Sequence, residues 1–130
     1  MNTKLVMTLS SIFMFATGMA FSFFPQEFLT TFNEPASPLI MLILQLLGAL
    51  YLGFGMLNWM TRNNLMGGIY SRPVAIGNFM HFLAAGLALL KAAPGLEIPQ
   101  IWGLAVIYTG FALAFGFVVF THPKAVRAKV

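Results

Sequence analysis

The chain contains no cysteine and no aspartate, and charged residues make up only 8 % of it. The absence of cysteine excludes disulfide bonds, thiolate metal sites and cysteine nucleophiles. Soluble domains carry about 25 % charged residues, so the few charges present cannot cover a water-exposed surface of 130 residues. Hydrophobic residues make up 59 % of the chain, and this composition predicts that lipid is its solvent.

Four long apolar segments fill most of the sequence, at residues 5–24, 39–60, 74–90 and 101–120. A helix crosses the hydrocarbon core with about 20 apolar residues. The prolines lie at or between the ends of these segments, as expected of uninterrupted helices. The short connections favour antiparallel neighbours. The sequence therefore predicts an all-α fold, with residues 1–130 as a single domain. This domain is a four-helix transmembrane bundle, antiparallel up-down-up-down.

The cations divide unequally between the two sides of the predicted bundle. One side has six of the seven, and the other has one cation and all three acids. The six are Lys4, Arg62, Arg72, Lys124, Arg127 and Lys129; the others are Lys91, Glu27, Glu34 and Glu97. The positive-inside rule then places both termini and the middle loop in the cytoplasm. The basic tail should attract anionic headgroups. Nucleic acid is not a predicted partner, because no basic domain lies outside the membrane.

The first apolar segment has two interpretations. Its basic start at Lys4, its apolar run and the sequence Gly-Met-Ala at 18–20, which resembles a cleavage site, are typical of a secretory signal peptide. The run continues through Phe24, however, which is long for a signal peptide, so we expect a retained helix. Cleavage would leave three helices in the same orientation.

Small residues recur at helical spacing and predict where helices pack. Membrane helices associate closely where small side chains let the backbones approach. The predicted packing positions are Gly48 and Gly55 in the second segment, Gly77 and Ala84 in the third, and Gly110 and Gly116 in the fourth. The fourth segment has two such stripes, which leaves one for a partner subunit and makes a homo-oligomer plausible. A substrate groove lined by small residues is the alternative.

His81 is the only ionisable side chain deep inside a predicted span. Matching residues by depth places Tyr51 close to it in height, with Asn78 one turn away on its own helix, so the three form a candidate polar cluster. A functional His81 would be a proton carrier, a haem ligand or a hydrogen-bond donor to a quinone. A structural His81 would be a neutral imidazole bonded to a helix partner such as Tyr51 or Asn78.

No catalytic motif is present, whether a paired acid in the membrane, a Ser-His-Asp set, a phosphate loop or an H-E-x-x-H sequence. One histidine without cysteine or a nearby carboxylate is not a metal site, and His122 at the end of the fourth segment does not complete a haem ligand pair. We therefore predict no catalytic, metal-binding or cofactor-binding residues, no cofactor and no enzyme activity.

The stretch Q-L-L-G-A-L-Y-L-G-F-G-M-L-N-W-M-T-R at 45–62 is followed by R-P-V-A-I-G-N-F-M-H-F at 72–82. Together they resemble small bacterial four-helix integral membrane proteins of unknown function, with a DoxX-like general plan. The resemblance covers the whole helix layout and implies a location in the bacterial inner (cytoplasmic) membrane. It implies no activity and no site residues.

These observations give two leading hypotheses for the function. The first is a small inner-membrane protein without enzyme activity, an accessory or assembly subunit that packs against partner helices. The alternative is a binder or carrier of a small lipophilic molecule, a quinone or a lipid, in a cavity within the bundle near His81. A membrane enzyme that uses His81 ranks last.

Overall fold

The computed structural model describes residues 1–64 and 71–121. These residues form five helices and no strand, and the predicted all-α class is confirmed. The helices are α1 (Thr3–Phe23), α2 (Pro25–Thr31), α3 (Pro38–Thr61), α4 (Arg72–Leu96) and α5 (Pro99–Phe120). Tyr70, His122 and the basic residues of the tail lie outside the described residues.

The four long helices α1, α3, α4 and α5 correspond to the four predicted segments. Each has 21 to 25 residues and is apolar enough to cross a membrane. Because a span needs about 20 residues, the chain is a small multi-pass membrane protein. The cytoplasmic location of the termini stays a prediction.

The chain divides into two compact units, which are described separately; the single domain stays a prediction. Met7–Arg62 forms one unit, with α2, α3 and most of α1. In it α1 and α3 pack antiparallel, since Gly18 lies against Leu52 and Gly55 against Phe15. The other unit consists of Met1–Val6 and Asn63–Val130.

In this second unit α4 and α5 pack antiparallel along their length. Gly86 lies beside Thr109, and Gly116 lies beside Phe79 about two turns further along. The core between these two helices contains buried aromatic and small side chains, among them Phe82, Ala105 and Phe115.

The expectation that prolines never interrupt a helix is wrong for Pro94, which lies inside α4. A proline inside a helix removes one backbone hydrogen bond, here the one to the carbonyl of Leu90. Only two residues follow before α4 ends at Leu96, so the loss falls in the last turns of the helix. The segment predicted at 74–90, the shortest of the four, is therefore part of the longest of the described helices, with 25 residues.

The connection between the first two predicted segments, residues 25–38, contains the short helix α2, which the hydropathy pattern does not indicate. Pro25 occupies the start of the helix, where its fixed φ is favourable, and Glu27 lies in the first turn. The helix ends where Asn33 adopts a left-handed φ of 56°. The amides of Asn33 and Glu34 then donate back to the carbonyls of Thr30 and Leu29, which closes the helix as a Schellman motif.

Candidate functional site

His81 lies on α4 among aromatic rings. Its imidazole centroid is 5.1 Å from the ring of Phe82 and 5.9 Å from the ring of Tyr108 on α5. The side chain is only partly exposed. Tyr108 is itself buried, and sequence analysis did not single it out as a neighbour of His81. The fourth segment has an aromatic residue at every third or fourth position, at 108, 111 and 115. This spacing indicates one aromatic helix face that could have been predicted to contact the third segment.

The two other members of the predicted polar cluster have different surroundings. Asn78 is fully buried one turn from His81, and its Nδ2 donates to the carbonyl of Val74 at 2.9 Å on the same helix. Tyr51 belongs to the other unit, where it is buried with its ring centroid 5.8 Å from that of Phe21. Asn78 and His81 thus share one helix, and the proximity of Tyr51 to them stays a prediction.

Phe82 is the centre of an aromatic stack between α4 and α5. Its ring lies 4.7 Å from Phe111 and 5.8 Å from Phe115, stacked on both, and 5.5 Å from Tyr108 in an edge contact. Such aromatic pairs add to the free energy of area burial. His81 contacts the edge of this stack, so its ring is part of the packing between the two helices.

Gly48 and Gly55 are buried where α3 contacts α1. A Cβ added at Gly48 would meet the backbone N of Ser22 at 2.8 Å and the carbonyl O of Gly18 at 3.0 Å. A Cβ at Gly55 would meet the backbone N of Phe15 at 3.2 Å. At Gly48 only glycine permits the observed approach of the two backbones, whereas a Cβ at Gly55 would require Phe15 to shift by a few tenths of an ångström.

The four other predicted packing positions lie in the unit that contains α4 and α5. Gly116 contacts Phe79, and a Cβ added there would lie 3.1 Å from that ring. Gly77 is partly exposed, and Ala84 is exposed. Gly110 is also exposed, with no described atom within 4 Å of an added Cβ. Neither Ala84 nor Gly110 packs between α4 and α5, and their role in helix packing stays a prediction.

A buried polar cluster joins α1 to α3. Asn58 Nδ2 donates to Ser10 Oγ at 3.0 Å, and Ser11 Oγ donates to the carbonyl of Gly55 at 2.8 Å. Ser10 Oγ in turn donates to the carbonyl of Met7 at 3.1 Å. The three polar side chains are fully buried. Sequence analysis missed this cluster, although Asn58 and Gly55 fall on one face of the helix at 100° per residue.

An apolar groove runs along the outside of the α4 and α5 pair, with a volume of about 500 Å³. This volume is typical of small-molecule sites. The groove is lined by Phe79, Phe82, Leu83, Gly86, Leu87 and Leu90 of α4, and by Thr109, Ala112, Leu113, Gly116, Phe117, Phe120 and Thr121 at α5. His81 is not among its lining residues, but the wall residue Phe82 contacts His81.

A second apolar depression, of about 560 Å³, lies on the α1 and α3 pair between Ile12 and Trp59. Its lining residues on α1 extend only from Ile12 to Met19, about 10 Å along the helix.

The guanidinium of Arg62 stacks over the Trp59 ring at 3.6 Å, a cation–π contact at the end of α3.

Within residues 1–64 and 71–121, no three or more metal-ligating side chains come together. Comparison of the chain with protein-family models, with curated proteins and with solved structures finds no match. The features with functional potential in the described residues are the helix faces, the aromatic stack and the groove.

Proposed function

We propose that this protein is a small, non-enzymatic subunit of a membrane assembly that packs against partner helices through one face of α5. The face consists of Gly103, Val106, Gly110 and Ala114, and we call it the α5 glycine face. These residues fall within one sector of the helix at 100° per residue. The bacterial inner membrane is the proposed location, as the resemblance of the sequence implies.

The observation that carries this proposal is the contrast between the two sides of α5. On one side Ala105 and Ala112 are buried. On the glycine face, Gly103 and Gly110 have no described atom within 4 Å of an added Cβ, and Val106 is 70 % exposed. Gly110 and Ala114 are four residues apart, the small-xxx-small spacing that lets membrane helices approach closely.

A pair of glycine substitutions tests the proposal. Gly110→Leu fills the α5 glycine face, whereas Gly53→Leu adds the same side chain to an equally open glycine on α3. Native mass spectrometry in a mild detergent should find a partner chain bound to the wild type and to the Gly53→Leu variant, but not to the Gly110→Leu variant. A wild type that is a single chain, or a Gly110→Leu variant that retains its partner, would refute the proposal.

The groove on α4 and α5 favours a second candidate function, the binding of a small lipophilic molecule. Its walls are apolar, and its hydroxyl-bearing residues are Thr109 and Thr121. We propose that such a molecule lies in this groove, whose wall residue Phe82 packs against His81. Its retention through purification, and its loss when the groove is filled, are the observations that would support this function.

A further inference from the structure

The groove on α4 and α5 is long compared with the membrane. Along α4 its lining extends from Phe79 to Leu90, and at α5 from Thr109 to Thr121. Because Gly116 lies beside Phe79, the α5 wall extends about 7 Å beyond Phe79, at 1.5 Å per residue. The whole groove is therefore about 24 Å long, against about 30 Å for the hydrocarbon core of a bilayer.

The groove is also narrow. Its volume is about 500 Å³ over this length. A helix of the same length, with a diameter of about 10 Å or more including side chains, takes up several times that volume. A single methylene chain fits, since carbon atoms pack about 4 Å apart. The shape of the groove selects a linear hydrocarbon chain over a partner helix.

Each end of the groove has a cation on α4. Arg72, the first residue of α4, is exposed near the Thr121 end, and Lys91 is exposed directly after Leu90 at the opposite end. Arginine matches phosphate geometry better than lysine does, so the Arg72 end is the better site for a phosphate.

We propose that this groove binds an anionic phospholipid of the bilayer. One acyl chain lies lengthwise between α4 and α5, and the phosphate lies at Arg72. The proposal rests on the second candidate function and names its ligand. The charge at the Arg72 end supplies selectivity for the headgroup, and the apolar walls bind the chain.

Two pairs of substitutions test the chain and the headgroup separately. Leu87→Trp fills the groove from an exposed wall position, and Leu50→Trp makes the same change at an exposed position on α3 outside the groove. Leu90→Trp is a second filling variant. Arg72→Gln and Lys91→Gln each remove one cation, at opposite ends of the groove. Native mass spectrometry of each variant, titrated in an uncharged detergent, measures the binding of phosphatidylglycerol and of phosphatidylcholine.

We expect the wild type to bind phosphatidylglycerol more tightly than phosphatidylcholine. The Arg72→Gln variant should bind phosphatidylglycerol about fivefold more weakly, the equivalent of about 1 kcal/mol per basic residue near an anionic headgroup. The Lys91→Gln variant should bind it as the wild type does. Filling the groove at Leu87 or Leu90 should weaken the binding of both lipids, and Leu50→Trp should leave both unchanged.

Three results would overturn the proposal. If the filling variants bind both lipids as Leu50→Trp does, the groove is not the site, and the second candidate function fails with the proposal. If filling weakens binding but the wild type does not prefer phosphatidylglycerol, the groove binds a lipophile and only the assignment of an anionic lipid fails. If Lys91→Gln has the larger effect, the headgroup lies at the other end.

Discussion

At the scale of single residues, two glycines on α3 have opposite surroundings. An alanine at Gly48 would place its Cβ 2.8 Å from the backbone N of Ser22, whereas Gly53 has no described atom within 4 Å. We expect Gly48→Ala to lower the free energy of unfolding by about 1–3 kcal/mol through overpacking. Gly53→Ala should raise it by up to about 1 kcal/mol through helix propensity. Thermal unfolding in detergent measures both, and equal stabilities would show that α1 and α3 do not approach so closely.

The Asn58–Ser10 hydrogen bond should contribute measurably to the stability of the α1 and α3 pair. A double-mutant cycle with Asn58→Ala and Ser10→Ala should give a coupling energy of about 0.5–2 kcal/mol, the range found between membrane helices. Thr61 is a control on the same helix, since its hydroxyl donates to the carbonyl of Leu57 and not to Asn58. If the coupling of Asn58 to Ser10 is no larger than its coupling to Thr61, the hydrogen bond does not stabilise the fold.

Helical periodicity indicates which residues share a helix face, but not which helix that face meets. At 100° per residue Gly48, Gly55 and Asn58 fall on one side of the second segment, and the three residues are buried in α3. Periodicity could not pair Asn58 with Ser10, because that contact depends on the rotation of two helices about their axes. For the same reason Tyr108 was not expected beside His81.

At the scale of helices, hydropathy predicts the long spans well and their ends poorly. The predicted segment 39–60 is within one residue of α3 at both ends. The predicted segment 74–90 is too short by six residues at its end, because Pro94 and Gly95 indicate a loop whereas the helix continues to Leu96. The bounds of α2 depend on Pro25 at its first position and on the left-handed φ of Asn33 after its end. Neither feature changes the hydropathy profile, so hydropathy does not predict this helix.

Glu97 ends α4 in the left-handed region, with a φ of 51°. This conformation costs a residue with a Cβ about 1–2 kcal/mol of conformational free energy, whereas glycine adopts it freely. We therefore expect Glu97→Gly to raise the thermal unfolding temperature. Glu97→Gln removes the charge but keeps the strain, so it should leave the unfolding temperature nearly unchanged. A glycine variant no more stable than the glutamine variant would contradict the assigned conformation.

At the scale of the whole molecule, the distribution of cations predicts the orientation in the membrane. Six of seven basic residues fall on one side of the predicted up-down-up-down bundle, so both termini should be cytoplasmic. Reporter fusions at residue 130 and within residues 92–100 should report opposite sides of the membrane. A periplasmic C-terminus would reverse the orientation and assign the Arg72 end of the groove to the outer leaflet.

The central claim is that the α5 glycine face binds another protein chain, whereas other exposed helix faces contact lipid. Since the chain has no cysteine, Val106→Cys and Leu50→Cys each provide a unique attachment point for a photo-crosslinker in native membranes. Val106 is 70 % exposed and Leu50 is 64 % exposed. We predict crosslinks to protein from position 106 and to lipid alone from position 50. Crosslinks to lipid alone from both positions would contradict the claim.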